Sequence, residues 1–319
     1  MTSATEAAAK GPDAAARNRV IGIALAACGV VAFSLRPVLI KFAYGYGPDP
    51  VTLLALRMVF ALPFFLIAAA WARGKGAGGH LSRRDIALVV GLGILGYYAA
   101  SFLDFLGLQY VSAGLGRLIL FLYPTVVLAL SAAFLGRRIM ARDVGALVLS
   151  YAGLALVLSG DLSSRDETVM IGAALVFAGA ASYAVYLVAG TQVIQRIGSV
   201  RFTAYAMTAA SVVCIAQFLV LRPFSALDLP APVYWISAAM AVGSTVLPVF
   251  MISEALRRIG ANHVALIGAL GPVSAALFGY VALDEAISLP QMVGTGLVLA
   301  GVLLVSVAPG QFARARKQP

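Results

Sequence analysis

The sequence predicts an all-α integral membrane protein, with ten transmembrane helices arranged as two inverted five-helix repeats around a central cavity. Three observations predict it: a composition unlike that of soluble domains, apolar blocks as long as a bilayer is thick, and self-similarity at a fixed spacing. Of 319 residues 61% are hydrophobic and only 11% charged, where a soluble domain carries about a quarter charged residues. The apolar residues fall in blocks of about 20, the length at which a helix rising 1.5 Å per residue crosses roughly 30 Å of hydrocarbon.

The blocks run 20–44, 51–72, 85–109, 112–136, 143–160, 170–197, 200–221, 233–257, 260–284 and 289–308. The connections between them are too short for a water-soluble domain, which leaves 1–19 and 309–319 as cytoplasmic tails. The N-terminal tail, rich in small residues, is expected to be disordered. It has no short apolar stretch closed by a cleavage site, so it does not read as a signal peptide. Cys28 and Cys214 both fall inside predicted spans and read as small apolar packing residues. Neither a disulfide framework nor a metal or cofactor site follows from them.

Orientation comes from the basic residues. With the N-terminus in the cytoplasm, Lys10, Arg17, Arg19, Arg73, Lys75, Arg83, Arg84, Arg137, Arg138, Arg142, Arg196, Arg201, Arg257, Arg258, Arg314, Arg316 and Lys317 fall inside, against Arg165 and Arg222 outside. This satisfies the positive-inside rule and puts both termini in the cytoplasm of a bacterial inner membrane. The net charge of +10 then calls for anionic headgroups rather than nucleic acid.

The repeat appears when the chain is shifted against itself by 148 residues: Leu108 meets Leu256, Ala113 meets Ala261, Pro124 meets Pro272, Leu135 meets Leu283, Ile139 meets Ile287 and Ala152-Gly153 meets Ala300-Gly301. The same shift pairs Ala32-Phe33-Ser34 with Ala180-Ala181-Ser182. Each half holds five spans, an odd number, so the second half must be inverted relative to the first. Inverted repeats suit alternating access, because two similar halves can exchange conformations about a midplane site.

Two runs carry a family resemblance: Tyr123-Pro124-Thr125 through Phe134-Leu135-Gly136-Arg137-Arg138-Ile139, and Gly271-Pro272-Val273 through Ala282-Leu283-Asp284-Glu285-Ala286-Ile287. Two halves ending this way resemble the EamA domains of the drug/metabolite transporter superfamily, at 20–160 and 170–308. The acidic member of the motif stands only in the second half, at Glu285; the first half has Arg137. The resemblance implies a central cavity lined by helices one, three, four, six, eight and nine, and a bacterial exporter of amino acids or other metabolites, expected as a monomer or weak dimer.

The ionisable residues inside spans point to the same cavity. Arg36, Arg57, Asp104, Arg117 and Glu254 would each cost at least roughly 2.5–3.5 kcal/mol on the lipid-facing centre of a helix. Arg36, Arg57, Asp104 and Arg117 fall in the outer half, and Glu254 and His263, with Asn262 beside it, near the cytoplasmic ends of helices eight and nine. One carboxylate against three guanidiniums leaves positive charge for a carboxylate-bearing solute, Asp104 pairing with one of them, Arg117 above all. Arg57, two turns from the outer end of helix two, and Lys41 read as snorkelling residues. On helix three Tyr97, Ser101 and Asp104 share a stripe, on helix four Gly114, Arg117, Phe121 and Pro124 share another, and helix six offers Ser182, Tyr183 and Tyr186. The inner residues Glu254, Asn262 and His263 are candidates for a gate.

Enzyme readings find no support. The chain has two histidines, no Gly-rich phosphate loop after a strand and no metal-spaced Cys/His cluster. The expected function is a secondary transporter exporting amino acids or similar small zwitterionic metabolites; the alternative, a proton-coupled exporter of cationic or amphipathic drugs, calls for an unpaired carboxylate.

Overall fold

The structure, a computed structural model, describes residues 12–74, 82–135, 139–161, 167–268, 270–285 and 287–306. The described residues are helical, with no strand among them. In chain order the helices are α1 (Pro12–Tyr44), α2 (Pro50–Gly74) and α3, whose α-helical parts Arg83–Gly93 and Ala100–Gly107 flank a π-helical segment at Ile94–Ala99. Helix α4 is broken between Ala113–Leu120 and Tyr123–Leu135, and α5 (Ala141–Asp161), α6 (Glu167–Ile197) and α7 (Ser199–Leu221) follow. Helix α8 comprises Ala231–Ala241, a second π-helical segment at Val242–Val246, and Leu247–Gly268; α9 (Leu270–Leu283) and α10 (Leu289–Ser306) complete the chain. Eight helices are long and apolar enough to cross a membrane, and Leu270–Leu283 and Leu289–Leu304 are shorter apolar helices.

Local chemistry explains the boundaries. Asp49 accepts hydrogen bonds from the Val51 and Thr52 amides, capping α2 ahead of Pro50, whose ring suits the first turn. Ser82 caps α3 by accepting from Asp85 N at 3.1 Å, and Ser112 caps α4 by accepting from Leu115 N at 3.1 Å. One expectation needs correction. Helix α1 begins at Pro12, inside the segment expected to be disordered, because Pro12 and Asp13 suit a first turn and the good helix formers Ala14-Ala15-Ala16-Arg17 follow. The division expected between 233–257 and 260–284 falls where the chain doubles back: Gly29 abuts Ile252 and Gly22 abuts Ile259, whereas Gly268 meets Phe121 and Gly271 has returned to the level of Ser34, so the helical run that continues to Gly268 reverses direction after Ile259.

Packing joins the first part of the chain to the second. Helix α1 lies against α8 and α9, while α6 lies against α3 and α4; α2 packs on α7, and α5 on α10. The α5–α10 contact is as close as backbones allow: a Cβ on Gly153 would lie 2.5 Å from the Gly294 carbonyl oxygen. Large apolar side chains face outward, Val220 at 82%, Phe134 at 78% and Trp235 at 76% exposure, whereas Arg57 and Asp104 are buried at 1% and 2%. Apolar outside and charged inside is the distribution a lipid solvent selects.

Candidate functional site

The charged centre is assembled from four helices. Pro37 interrupts the hydrogen bonding of α1 next to Arg36. The Arg36 guanidinium donates Nη2–H to Asp104 Oδ2 at 3.2 Å, through a single contact, and both side chains are largely buried. Asp104 therefore takes Arg36 as its hydrogen-bonded partner in place of the expected Arg117. Arg117 still acts on Asp104 electrostatically, as does Arg57. The Arg117 guanidinium lies against α9, with Nη2 3.2 Å from where a Cβ on Gly271 would stand. A side chain at position 271 would displace it.

Arg57 corrects the snorkelling expectation. It is among the largest fully buried side chains, and its guanidinium carbon sits 4.9 Å from the centroid of the Phe105 ring, a cation–π geometry of about 0.5–2 kcal/mol. Helix α7 covers it, with Cys214 alongside, so the path to the headgroups is closed. Arg36 Nε, Arg57 Nε and Nη2, and Arg117 Nε find no acceptor among the described residues.

Beside Arg117 stands a cluster of tyrosines from α3, α4 and α6. Tyr186 donates its hydroxyl to Tyr97 Oη at 3.2 Å, and the two rings meet edge to face at 5.0 Å. Tyr183 stacks on Tyr186 at 5.6 Å and meets Tyr123 edge to face at 5.4 Å, and Phe202 closes the group behind Tyr186. Arg117 acts electrostatically on both Tyr123 and Tyr183. The π-helical segment of α3 makes this possible. It turns Gly96 toward α6, where an added Cβ would fall 2.3 Å from Tyr186, and it offers the Leu95 carbonyl to the Ser182 hydroxyl at 2.7 Å. Ser101 is buried one turn before Asp104, and Phe121 is buried at the break of α4.

The candidate inner gate is only partly described. Glu254 accepts from Arg258 Nε at 2.6 Å within one turn of α8, and Arg258 also donates to Asn18 of α1. The side chains of Asn262 and His263 lie outside the described residues. At the opposite end Glu285 has a geometry that the sequence reading did not assign. Both carboxylate oxygens accept from the Ala113 amide, at 2.9 and 3.1 Å, at the first turn of α4. Asp284 turns the chain with φ 53°, and Gly279 leaves room for the carboxylate. The sequence offers Tyr183 on helix six and Tyr123 only as part of the Tyr123-Pro124-Thr125 run, and their convergence on Arg117 depends on which helices are neighbours.

Apolar helices around a buried cluster of charge define a multi-pass membrane protein with a polar interior. The chain belongs to the EamA-like transporter family, within the drug/metabolite transporter superfamily: the family profile matches twice, over residues 20–159 and 170–307. It is therefore a membrane transporter. It is similar to the uncharacterized transporter YcbK of Bacillus subtilis (strain 168), 30% identical over 285 residues and covering 88% of this chain and 91% of that one. It is also similar to the uncharacterized transporter YyaM of the same strain, at 27% identity over 84% of this chain and 88% of that one, and to an uncharacterized transporter of Archaeoglobus fulgidus at 27% identity over 81% and 88%. A crystal structure shares the fold, with a TM-score of 0.63, 18% identity, and coverage of 91% of this chain and 98% of that one.

Proposed function

We propose that this transporter exports amino acids or similar small zwitterionic metabolites across a bacterial inner membrane by alternating access. Ten membrane helices form two inverted repeats, 20–160 and 170–308, with both termini in the cytoplasm. The observation that carries the reading is the sign of the buried centre: three guanidiniums, one carboxylate, and N–H groups of each arginine without an acceptor among the described residues. Such a centre attracts a carboxylate and repels a bare cation. The alternative, export of cationic drugs by discharge of a free carboxylate, finds Asp104 already bonded to Arg36.

The repeat reading is supported by reciprocity. The π-helical segments start at Ile94 and Val242, a spacing of 148 residues. The packing of α1 on α8 and α9 has its counterpart in that of α6 on α3 and α4. In this reading the Glu285–Ala113 contact closes the outer side and the Glu254–Arg258–Asn18 chain the inner side.

Two experiments test the proposal. Purified protein in liposomes is screened by counterflow against the twenty amino acids, and exchange of none of them would overturn the substrate class. Single cysteines near Pro48, Ser163 and Asp228 should label from outside, and those near Gly76, Arg138 and Gln318 should not. A periplasmic C-terminus would overturn the inverted arrangement.

A further inference from the structure

The three guanidiniums are not equivalent. Arg57 packs on Phe105 and Arg117 lies against Gly271 of α9, and both act electrostatically on Arg36 and Asp104. Asp104 is the ion-pair partner of Arg36, through one nitrogen. Among the described residues neither of the other two guanidiniums is paired with a carboxylate, and three of their nitrogens, Arg57 Nε, Arg57 Nη2 and Arg117 Nε, meet no acceptor. One of these residues, Arg57, is fully buried. An unpaired guanidinium at that depth is costly to the free protein and is relieved by any ligand that brings negative charge to it.

A neutral zwitterion relieves only one of the two. Its carboxylate can take one arginine, but its ammonium then needs an acceptor, and the one carboxylate of the cluster is engaged by Arg36. Net charge at the centre stays unchanged. A solute with two carboxylates brings acceptor oxygens for both arginines and places no cation among them. We therefore propose that Arg57 and Arg117 hold the two carboxylates of a small dicarboxylate, acidic amino acids included. Arg57 is the specificity-determining residue: its stacking on Phe105 fixes the plane of the fork and hence the distance at which the second carboxylate is met. The Tyr97, Tyr123, Tyr183 and Tyr186 cluster lies on the Arg117 side and bounds the length of the solute there.

This inference rests on the reading of the protein as a carboxylate exporter and narrows it. The test is counterflow of radiolabelled glutamate into liposomes containing the purified full-length protein, with unlabelled succinate, alanine and inorganic phosphate as competitors. The expected result is inhibition by succinate about tenfold stronger than by equimolar alanine or phosphate. Arg57→Gln should lower glutamate exchange about tenfold or more relative to its effect on alanine, with partial recovery in Arg57→Lys, because a lysine restores charge without the fork. Three outcomes overturn it: alanine competing as well as succinate, phosphate competing better than either, or Arg57→Gln lowering both substrates equally. If Arg57→Gln fails to fold, the competition pattern of the unaltered protein decides alone. Exchange of neutral amino acids without that of glutamate removes this inference and leaves the export reading standing; exchange of neither class removes both.

Discussion

Helices α3 and α8 are built alike and furnished differently. Each has an α-helical entry, a π-helical segment and an α-helical exit, with the π segments 148 residues apart. In α3 that segment presents Gly96 and Tyr97 and leads to Asp104; in α8 the corresponding positions are Ser244, Thr245 and Ile252. The same holds across the halves: where the first has Arg36, Arg57 and Arg117, the second has Ala184, Tyr205 and Ala265. In return α6 supplies Tyr183 and Tyr186 where α1 has Leu35 and Val38. Backbone geometry is shared and chemistry is not. One half brings the charge and the other a large part of the aromatic wall.

The largest effect is expected at the charged face. Asp104→Asn leaves three guanidiniums with no carboxylate, and removing one partner of a buried pair costs about 3–5 kcal/mol. Transport should be abolished and the yield of folded protein should fall. Arg36→Gln combined with Asp104→Asn should regain yield, read as monodisperse protein after solubilisation; strictly additive losses would show that the two do not act as a pair.

Next comes an attempt to make the halves alike. Ile252→Asp puts a carboxylate at the position equivalent to Asp104, but the residue matching Arg36 is Ala184, which is fully buried and offers no partner. The change should cost roughly 2.5–3.5 kcal/mol as an unpaired charge in an apolar helix. Combined with Asp104→Asn it should not restore exchange; recovery would mean that the halves are chemically interchangeable.

A gentler pair of substitutions sharpens the same contrast. Gly96→Ala drives a methyl group into Tyr186, which should cost about 1–3 kcal/mol as over-packing and lower transport by opening the tyrosine cluster. Ser244→Ala, at the equivalent place in α8, removes only a hydroxyl that donates to the Met240 carbonyl at 2.9 Å. It should cost about 1 kcal/mol or less and leave exchange unchanged. Thermal unfolding in detergent beside a counterflow assay separates the two.

The smallest effect belongs to the rim. Burial opposes ionisation of Asp49, but hydrogen bonds from Thr52 and Arg222, the latter at 3.0 Å, prevail and hold the carboxyl below the usual range. A lowered folded-state pKa contributes stability that is present above the unfolded value, about 3.9, and is lost as pH falls through the folded one. Asp49→Asn should therefore lower the melting temperature slightly at pH 7, and the gap from the parent should close below about pH 4. A gap independent of pH would mean that the carboxylate charge contributes nothing.

Much of this was legible in the sequence because lipid imposes simple rules. Span length, the excess of arginine at alternate connections and the cost of intramembrane charge all act along one chain, and they mark Arg36, Asp104 and Arg117 without reference to neighbours. The partners were less legible, since pairing depends on which helices meet. Asp104 lies closer to Arg117 than to Arg36 in sequence, yet α1 is the helix that brings a guanidinium to it. Arg57 was misjudged for a related reason: distance from a helix end measures access to the surface only if no neighbour covers the path, and α7 covers it. Glu285 stands in the sequence as half of a motif, and its bond to Ala113 crosses 172 residues of chain.

The matched π segments also bear on descent. A π turn holds one residue more than the α turn it interrupts, so it amounts to a one-residue bulge in the helix. Two such insertions made independently would have no reason to fall at the same register. On the repeat reading, one insertion in an ancestral half, copied when that half was duplicated, accounts for both Ile94–Ala99 and Val242–Val246. The segment at Val242–Val246 keeps the bulge with little of the chemistry that surrounds Ile94–Ala99.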